Sequence, residues 1–93
     1  MDEFEWDPRT ASASRRKHGV DFADATSVFE DEQALTVRDE ISAVDEPRFL
    51  TLGRDLLGRL LVVTYTRRDE GIRLISARRA TGPERRRYRE WGR

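Results

Sequence analysis

The sequence predicts one α+β domain, a small antiparallel sheet with helices packed on it in the order β-α-α-β-β-β-β-α. The chain has 93 residues, of which 37% are hydrophobic and 39% charged, so it has room for a single compact core. Segments with helical caps and segments of strand composition follow one another along the chain. No internal repeat or low-complexity linker divides residues 1–93, which are predicted to form one domain with a frayed tail at 91–93.

A strand and a helix are predicted at the start of the chain. Residues 2–6 alternate apolar and polar side chains, which is typical of a short strand. Asp7 has the side chain of an N-cap, and Pro8 suits the first helical turn of a helix that runs to His18. Gly19 follows at a position where glycine commonly ends a helix.

A second helix is predicted from Phe22 to about Phe29. Asp21 stands at its N-cap position. Because Phe22, Ala25 and Phe29 have helical spacing, they are expected on one face and in the core.

Four further segments have the composition of strands, and they are residues 34–37, 48–54, 59–66 and 72–79. Residues 59–66 are apolar on both faces, so this strand is expected to be central. Residues 38–47 are polar and rich in Asp and Glu, which predicts a mobile loop. Residues 68–71 are predicted to form the hairpin turn before the last strand.

The end of the chain is predicted to be a strand followed by a basic helix. Thr81 and Glu84 have the spacing of a capping box, which predicts a helix over residues 82–90. The helices are expected to pack on one face of the sheet. Alternation along the last strand predicts two sets of side chains on opposite faces. One set is Ile72, Leu74 and Ser76, and the other is Arg73, Ile75 and Ala77.

The formal net charge of zero hides a strong asymmetry. Residues 1–47 carry 5 basic and 13 acidic side chains, whereas residues 48–93 carry 13 basic and 5 acidic ones. Every basic residue except Lys17 is an arginine, whose planar guanidinium group suits phosphates. The second half therefore favours a nucleic-acid partner, although arginines that carry only solvated surface charge would give the same count.

Several classes of function are not expected. The chain has no Cys and one His, and it contains neither paired metal-ligand spacings nor a glycine-rich phosphate loop, so no metal or cofactor is predicted. The longest apolar run, residues 60–63, is far shorter than the ~20 residues of a membrane span. The acidic start differs from a signal peptide, and a cytoplasmic protein without membrane contact is predicted.

Cleavage of RNA needs fewer specialised groups than chemistry that depends on a metal or a cofactor. The 2′-hydroxyl attacks its own phosphodiester, so the protein has to orient the backbone, move protons and stabilise charge on the phosphorane. Arginine, lysine, tyrosine and histidine side chains can do this without a metal. The candidate catalytic residues are Lys17, His18, Arg78, Arg79 and Tyr88. The candidate RNA-binding residues are Arg59, Arg73, Arg85 and Arg86.

Each candidate also has a structural interpretation. Lys17 and His18 lie in the last turn of a predicted helix, where positive charge stabilises the helix dipole. Arg78 and Arg79, at a strand end, can pair with acidic groups of the first half. Tyr88 can pack on the sheet. The mechanism therefore depends on these groups meeting in one concave patch.

Seven segments, taken in order, carry a resemblance to a known family: Phe4-Glu5-Trp6-Asp7-Pro8, Lys17-His18-Gly19-Val20-x-Phe22, Phe29-Glu30-Asp31, Arg48-Phe49-x-x-Leu52-Gly53, Gly58-Arg59-x-Leu61-x-Val63, Ile72-Arg73-x-Ile75-Ser76-Ala77-Arg78-x-Ala80 and Glu84-Arg85-x-x-Tyr88. Over residues 4–88 the chain resembles the BrnT family of bacterial toxins. The resemblance implies a compact RelE-like fold and a toxin that cleaves RNA to halt growth. Family members often have Asn and Lys at the positions of Ser14 and Thr10.

The resemblance also implies partners. The toxin is expected to be neutralised by a cognate BrnA-like antitoxin, a small ribbon-helix-helix DNA-binding protein. The complex is expected to repress its own operon, so that the toxin reaches the DNA operator only through the antitoxin. The combined expectation is a metal-independent endoribonuclease, and the alternative is a non-catalytic module that binds nucleic acid or an antitoxin.

Overall fold

The computed structural model describes residues 3–40 and 46–91, in which helices pack on a five-stranded sheet. In chain order the elements are β1 Glu3–Glu5, α1 Pro8–His18, α2 Phe22–Ala25, a 3-10 helix Thr26–Glu30, β2 Leu35–Asp39, β3 Arg48–Arg54, β4 Leu60–Arg68, β5 Gly71–Arg79 and α3 Gly82–Trp91. The predicted class and order are confirmed. Half of the predicted loop, residues 41–45, and the end of the predicted tail lie outside the described residues. None of the described helices is long and apolar enough to cross a membrane.

The sheet is mixed rather than purely antiparallel. Its strand order is β1-β5-β4-β3-β2, so β4 is central, as its two apolar faces predict. The strands β2 to β5 are antiparallel neighbours, whereas β1 pairs with β5 in parallel. No local turn connects β1 to β5, and the direction of this pair is therefore decided by long-range packing.

Helices cover both faces of the sheet, not the single face that the sequence predicts. On the α1 face, Leu61 and Val63 of β4 join a core with residues of α2 and the 3-10 helix. On the α3 face, Leu60 and Val62 pack with Tyr88. Because β4 is apolar at successive positions, it supplies both cores, and the second one needs its own covering helix.

A β-bulge changes the alternation along β5. Leu74 and Ser76 pair with successive residues of β4, which leaves Ile75 between them without a partner. Ala77 consequently lies in the α1-side core with Ile72 and Leu74. Ser76 projects to the other side. The predicted alternation is therefore wrong beyond residue 74, because the extra residue reverses the facing of those that follow.

Three helix ends form as their local patterns predict. Asp7 accepts a hydrogen bond from the Arg9 backbone N–H at 2.8 Å, and Gly19 ends α1 with a φ of 73°. At α3 the Thr81 backbone N–H donates to Glu84 at 2.8 Å, and the Glu84 N–H donates to the Thr81 hydroxyl at 3.4 Å. The capping box is confirmed.

The second helix is shorter than predicted. After α2 ends at Ala25, the chain continues as a 3-10 helix to Glu30. Asp21 makes no side-chain cap, and its carboxylate pairs with Arg15 at 3.2 Å. The three apolar residues predicted to share one face do pack in or against the α1-side core.

Candidate functional site

Part of the α3 face is not included in the core beneath α3. Residues directly opposite one another in neighbouring strands project to the same side of a sheet. The register places Arg48, Thr66 and Arg73 in one row across β3, β4 and β5. Thr64 and Ser76 form the next row on that side. We call these five residues the open face; four are half-buried, and Thr66 is 3% exposed.

Arg78 stands between the open face and the α3-side core. It lies opposite Val62, and its guanidinium donates two hydrogen bonds to the Glu84 carboxylate at 2.8 and 2.9 Å. These bonds raise the pKa of Arg78 and lower the pKa of Glu84 to about 2. The Arg78 side chain is 34% exposed, so the cation is held in place and still reaches solvent.

The row of Arg48, Thr66 and Arg73 combines cations with a buried hydroxyl. Arg73 lies 3.7 Å from the Glu5 carboxylate, and both side chains are solvent-accessible, which makes this ion pair weak. The Thr66 Oγ1 is buried and has no hydrogen-bond partner in the described part of the chain. In the strand register Thr66 lies between Arg48 and Arg73.

Lys17, His18 and Arg79 are associated with the other side of the sheet. The helix α1 is anchored there by Ser14, whose hydroxyl accepts from the Ala77 N–H at 3.2 Å. Lys17 is exposed and His18 half-buried at the end of this helix. Arg79 follows Ala77 by two residues and projects to the same side. The single patch expected from the sequence is therefore divided by the sheet.

Tyr88 connects α3 to the sheet. The residue is 8% exposed, and its hydroxyl donates to Asp31 at 2.6 Å. The Arg54 guanidinium lies 5.4 Å from the ring centroid. Burial and the Asp31 carboxylate raise the pKa of Tyr88. These contacts hold Tyr88 against the sheet, and its role in stacking or orienting RNA stays a prediction.

The other predicted RNA-binding arginines differ in their surroundings. Arg59 is 18% exposed and lies 2.8 Å from the buried Asp55 carboxylate. It stabilises the turn between β3 and β4 and is not a free cation. Arg85 and Arg86 are exposed on α3, outside the open face. Arg73 is the member of this set that the register places on that face.

The open face was largely missed by sequence analysis. Arg48, Thr64 and Thr66 follow the period-two alternation of β3 and β4, which is the signal that could have found them. A polar residue in a strand is usually ordinary surface, however. The position of Ser76 also depends on the bulge, which no local pattern shows.

The open face has the chemistry to bind a phosphodiester. The guanidinium groups of Arg48, Arg73 and Arg78 match phosphate oxygens in charge and geometry. The hydroxyls between them are of a type that bonds ribose and phosphate oxygens. Among the residues that the structure describes, no three or more His, Cys, Asp or Glu side chains are grouped to hold a metal ion.

Comparisons with known proteins identify the family. The model described as "Ribonuclease toxin, BrnT, of type II toxin-antitoxin system" matches residues 6–84. The crystal structure of the Brucella abortus ribonuclease toxin BrnT is similar with a TM-score of 0.68 and 20% identity, and the match covers 87% of this chain and 99% of that one. That likeness confirms the fold and is consistent with the RelE-like label. No curated protein sequence matches the chain significantly. Because the family model covers most of its length, the chain belongs to the BrnT ribonuclease toxins of type II toxin-antitoxin systems.

Proposed function

We propose that this toxin is a metal-independent endoribonuclease that binds RNA across the open face and Arg78. The observation that carries the proposal is the strand register, which places Arg48, Arg73 and Arg78 on one side of the sheet beyond the α3-side core. Paired strands hold these groups, so their charge is preorganised for the phosphate and does not have to be assembled during the reaction.

The proposed reaction is an internal transesterification. The 2′-oxygen forms a bond to phosphorus while the bond from phosphorus to the 5′-oxygen breaks, which leaves a 2′,3′-cyclic phosphate and a 5′-hydroxyl. Arg73 and Arg78 stabilise the added negative charge of the phosphorane. The 2′-hydroxyl loses a proton to the protein, and the 5′-oxygen gains one from solvent water, to which the protein then returns the first proton. The Glu5 carboxylate, 3.7 Å from Arg73, is the proposed acceptor of the first proton.

A rival arrangement places the RNA on the α1 side. There Arg79 would bind the phosphate, and Lys17 and His18 would supply electrostatic stabilisation or proton transfer. The observation that favours it is the bidentate pairing of Arg78 with Glu84, because that carboxylate occupies two donors of the guanidinium. The two arrangements predict different sensitive residues, which mutation can distinguish.

We further propose that a cytoplasmic, BrnA-like ribbon-helix-helix antitoxin neutralises the toxin and carries the complex to operator DNA. The type II description of the family supports an antitoxin partner. The excess of arginine in residues 48–93 supports a partner that presents acidic groups, as well as RNA.

The direct test is incubation of the purified toxin with total RNA in excess EDTA. We expect cleavage that leaves 2′,3′-cyclic phosphate ends and that added Mg²⁺ does not accelerate. Intact RNA, under conditions in which the same protein arrests growth, would exclude the nuclease. RNA binding with a steep salt dependence but without products would support the alternative, a non-catalytic binding module.

A further inference from the structure

A groove beside α3 shares Arg78 with the proposed RNA site, and its other lining residues lie outside that site. It has a volume of about 220 Å³ and lies between α3 and the strands β2, β3 and β4. Its strand side is aliphatic, formed by Leu35, Val37, Leu50, Leu52 and Val62. This volume is below the roughly 300–1,000 Å³ of small-molecule sites, so the groove suits individual side chains of a larger partner.

The groove continues into exposed apolar surface. Val37 on its rim is 40% exposed. A second depression beside it is lined by Leu35, Arg87, Glu90 and Trp91, and the tryptophan is 60% exposed. β2 is the last strand of the described sheet on this side. Apolar surface of this kind with a polar rim is typical of protein-binding sites.

We infer that this groove is the docking site of the antitoxin, and that it receives a segment whose apolar side chains are flanked by Asp or Glu. The inference deepens the proposed function, because it states where neutralisation occurs. Aliphatic side chains offer no hydrogen bonds to ribose or phosphate, so the strand side of the groove fits a protein better than RNA.

Charge complementarity indicates the acidic flanks. Outside the Arg78–Glu84 pair, the described part of α3 has four exposed arginines and one exposed glutamate, and the arginines are Arg85, Arg86, Arg87 and Arg89. The helix beside the groove therefore carries net positive charge as a whole, and Glu84 and Arg87 are its residues that line the groove. A partner with carboxylates beside its apolar side chains would be attracted by this helix and positioned by Arg87.

The position of the groove supplies a mechanism of neutralisation. Arg78 and Glu84 line it, and Arg78 also borders the open face. A segment seated in the groove would cover this end of the RNA site without contacting α1. Antitoxin binding and RNA binding would then exclude each other, because both would occupy the space around the Arg78 guanidinium.

The test measures the affinity of the purified cognate antitoxin, the product of the gene adjoining the toxin gene, for toxin variants in the absence of RNA. V37E and R87E are expected to weaken binding at least about tenfold. The matched controls are L56E, at a leucine that is 83% exposed on the turn between β3 and β4, and R89E, on the same helix but outside the groove. Both controls should bind like the wild type.

A chemical probe covers the case in which V37E does not fold. The chain has no Cys, so V37C and L56C each introduce one thiol. Adding antitoxin should slow modification of the thiol in V37C and leave that in L56C unchanged.

Unchanged affinity of both groove variants, equal losses in the controls, or an unprotected thiol in V37C would overturn the inference. So would a V37E variant that cleaves RNA poorly yet binds antitoxin normally, or one that only dissociates a toxin dimer. Because affinity is measured without RNA, failure of the nuclease proposal would leave this result standing.

Discussion

The two faces of the sheet use the same strands for different purposes. On the α1 face, α1, α2 and the 3-10 helix enclose a core in which Leu61 and Val63 are 0% exposed. On the α3 face, a smaller core around Tyr88 occupies one end, and Arg48 and Arg73 occupy the other. The comparison indicates that stability comes mainly from the first face, and that the shortness of the second core leaves cations beside solvent.

Acidic residues of this highly charged chain hold α3 on the second face. Asp31 accepts the Tyr88 hydroxyl and also the Arg54 backbone N–H, at 2.8 Å. Glu84 joins the helix start to Arg78 on β5. Charge-assisted hydrogen bonds therefore contribute to holding the helix, and its attachment should respond to pH and to conservative substitutions.

The largest expected effect is on catalysis, and it decides between the faces. R73A and R78A should each lower single-turnover RNA cleavage by roughly 100-fold, because each removes a preorganised cation from the phosphorane. K17A and H18A should stay close to the wild type. R9A, at an exposed position on α1, is the control for loss of one positive charge. The reverse pattern would move the site to the α1 side.

The next largest effect is the acid sensitivity of the Arg78–Glu84 pair. Hydrogen bonds from Arg78 lower the folded-state pKa of Glu84 from 4.5 to about 2. The stabilisation is therefore complete above about pH 4.5 and is lost as pH falls towards 2. Its upper value is roughly 3 kcal/mol. Urea unfolding should show that E84Q has a lower free energy of unfolding than the wild type at pH 7. The difference between the two proteins should be smaller at pH 3. Equal pH dependence of the two proteins would contradict the pairing.

A smaller effect is expected when α3 loses its connection to Asp31. Y88F keeps the ring and removes the hydroxyl that donates to the carboxylate, which should lower the free energy of unfolding by about 1.5–3 kcal/mol. Urea denaturation measures it. W91F, a change at an exposed position of the same helix, should have almost no effect. Equal stability of Y88F and the wild type would show that the hydroxyl does not contribute.

The smallest expected effect lies on the α1 face. S14A removes a buried hydroxyl that bonds the Ala77 backbone N–H at 3.2 Å and lies 3.5 Å from its carbonyl oxygen, at a cost of about 1 kcal/mol. S12A, on the exposed side of the same helix, is the control. RNA cleavage by S14A should match the wild type, since this face is not the proposed site. A loss of cleavage without a loss of stability would count against that placement.

The sequence could predict those features that depend on residues close together in the chain. The ends of α1 and the start of α3 depend on atoms within a few residues of one another, so Asp7, Gly19, Thr81 and Glu84 identify them directly. The apolar run of β4 likewise predicts a central strand. The BrnT resemblance rests on short motifs in order, which are also readable from the sequence, and the family model confirms it.

Only the tertiary structure decided which groups meet. The parallel direction of β1, the bulge at Ile75 and the packing of α3 on the second face all arise from contacts between residues far apart in the chain. These contacts separate Arg78 from Lys17 and His18 and place it on the same side of the sheet as Arg73, with the row of Thr64 and Ser76 between them. The sequence by itself determined the elements and the types of side chain available for RNA chemistry. Tertiary packing decided on which side of the sheet each one lies, because facing depends on strand pairing and not on local propensity.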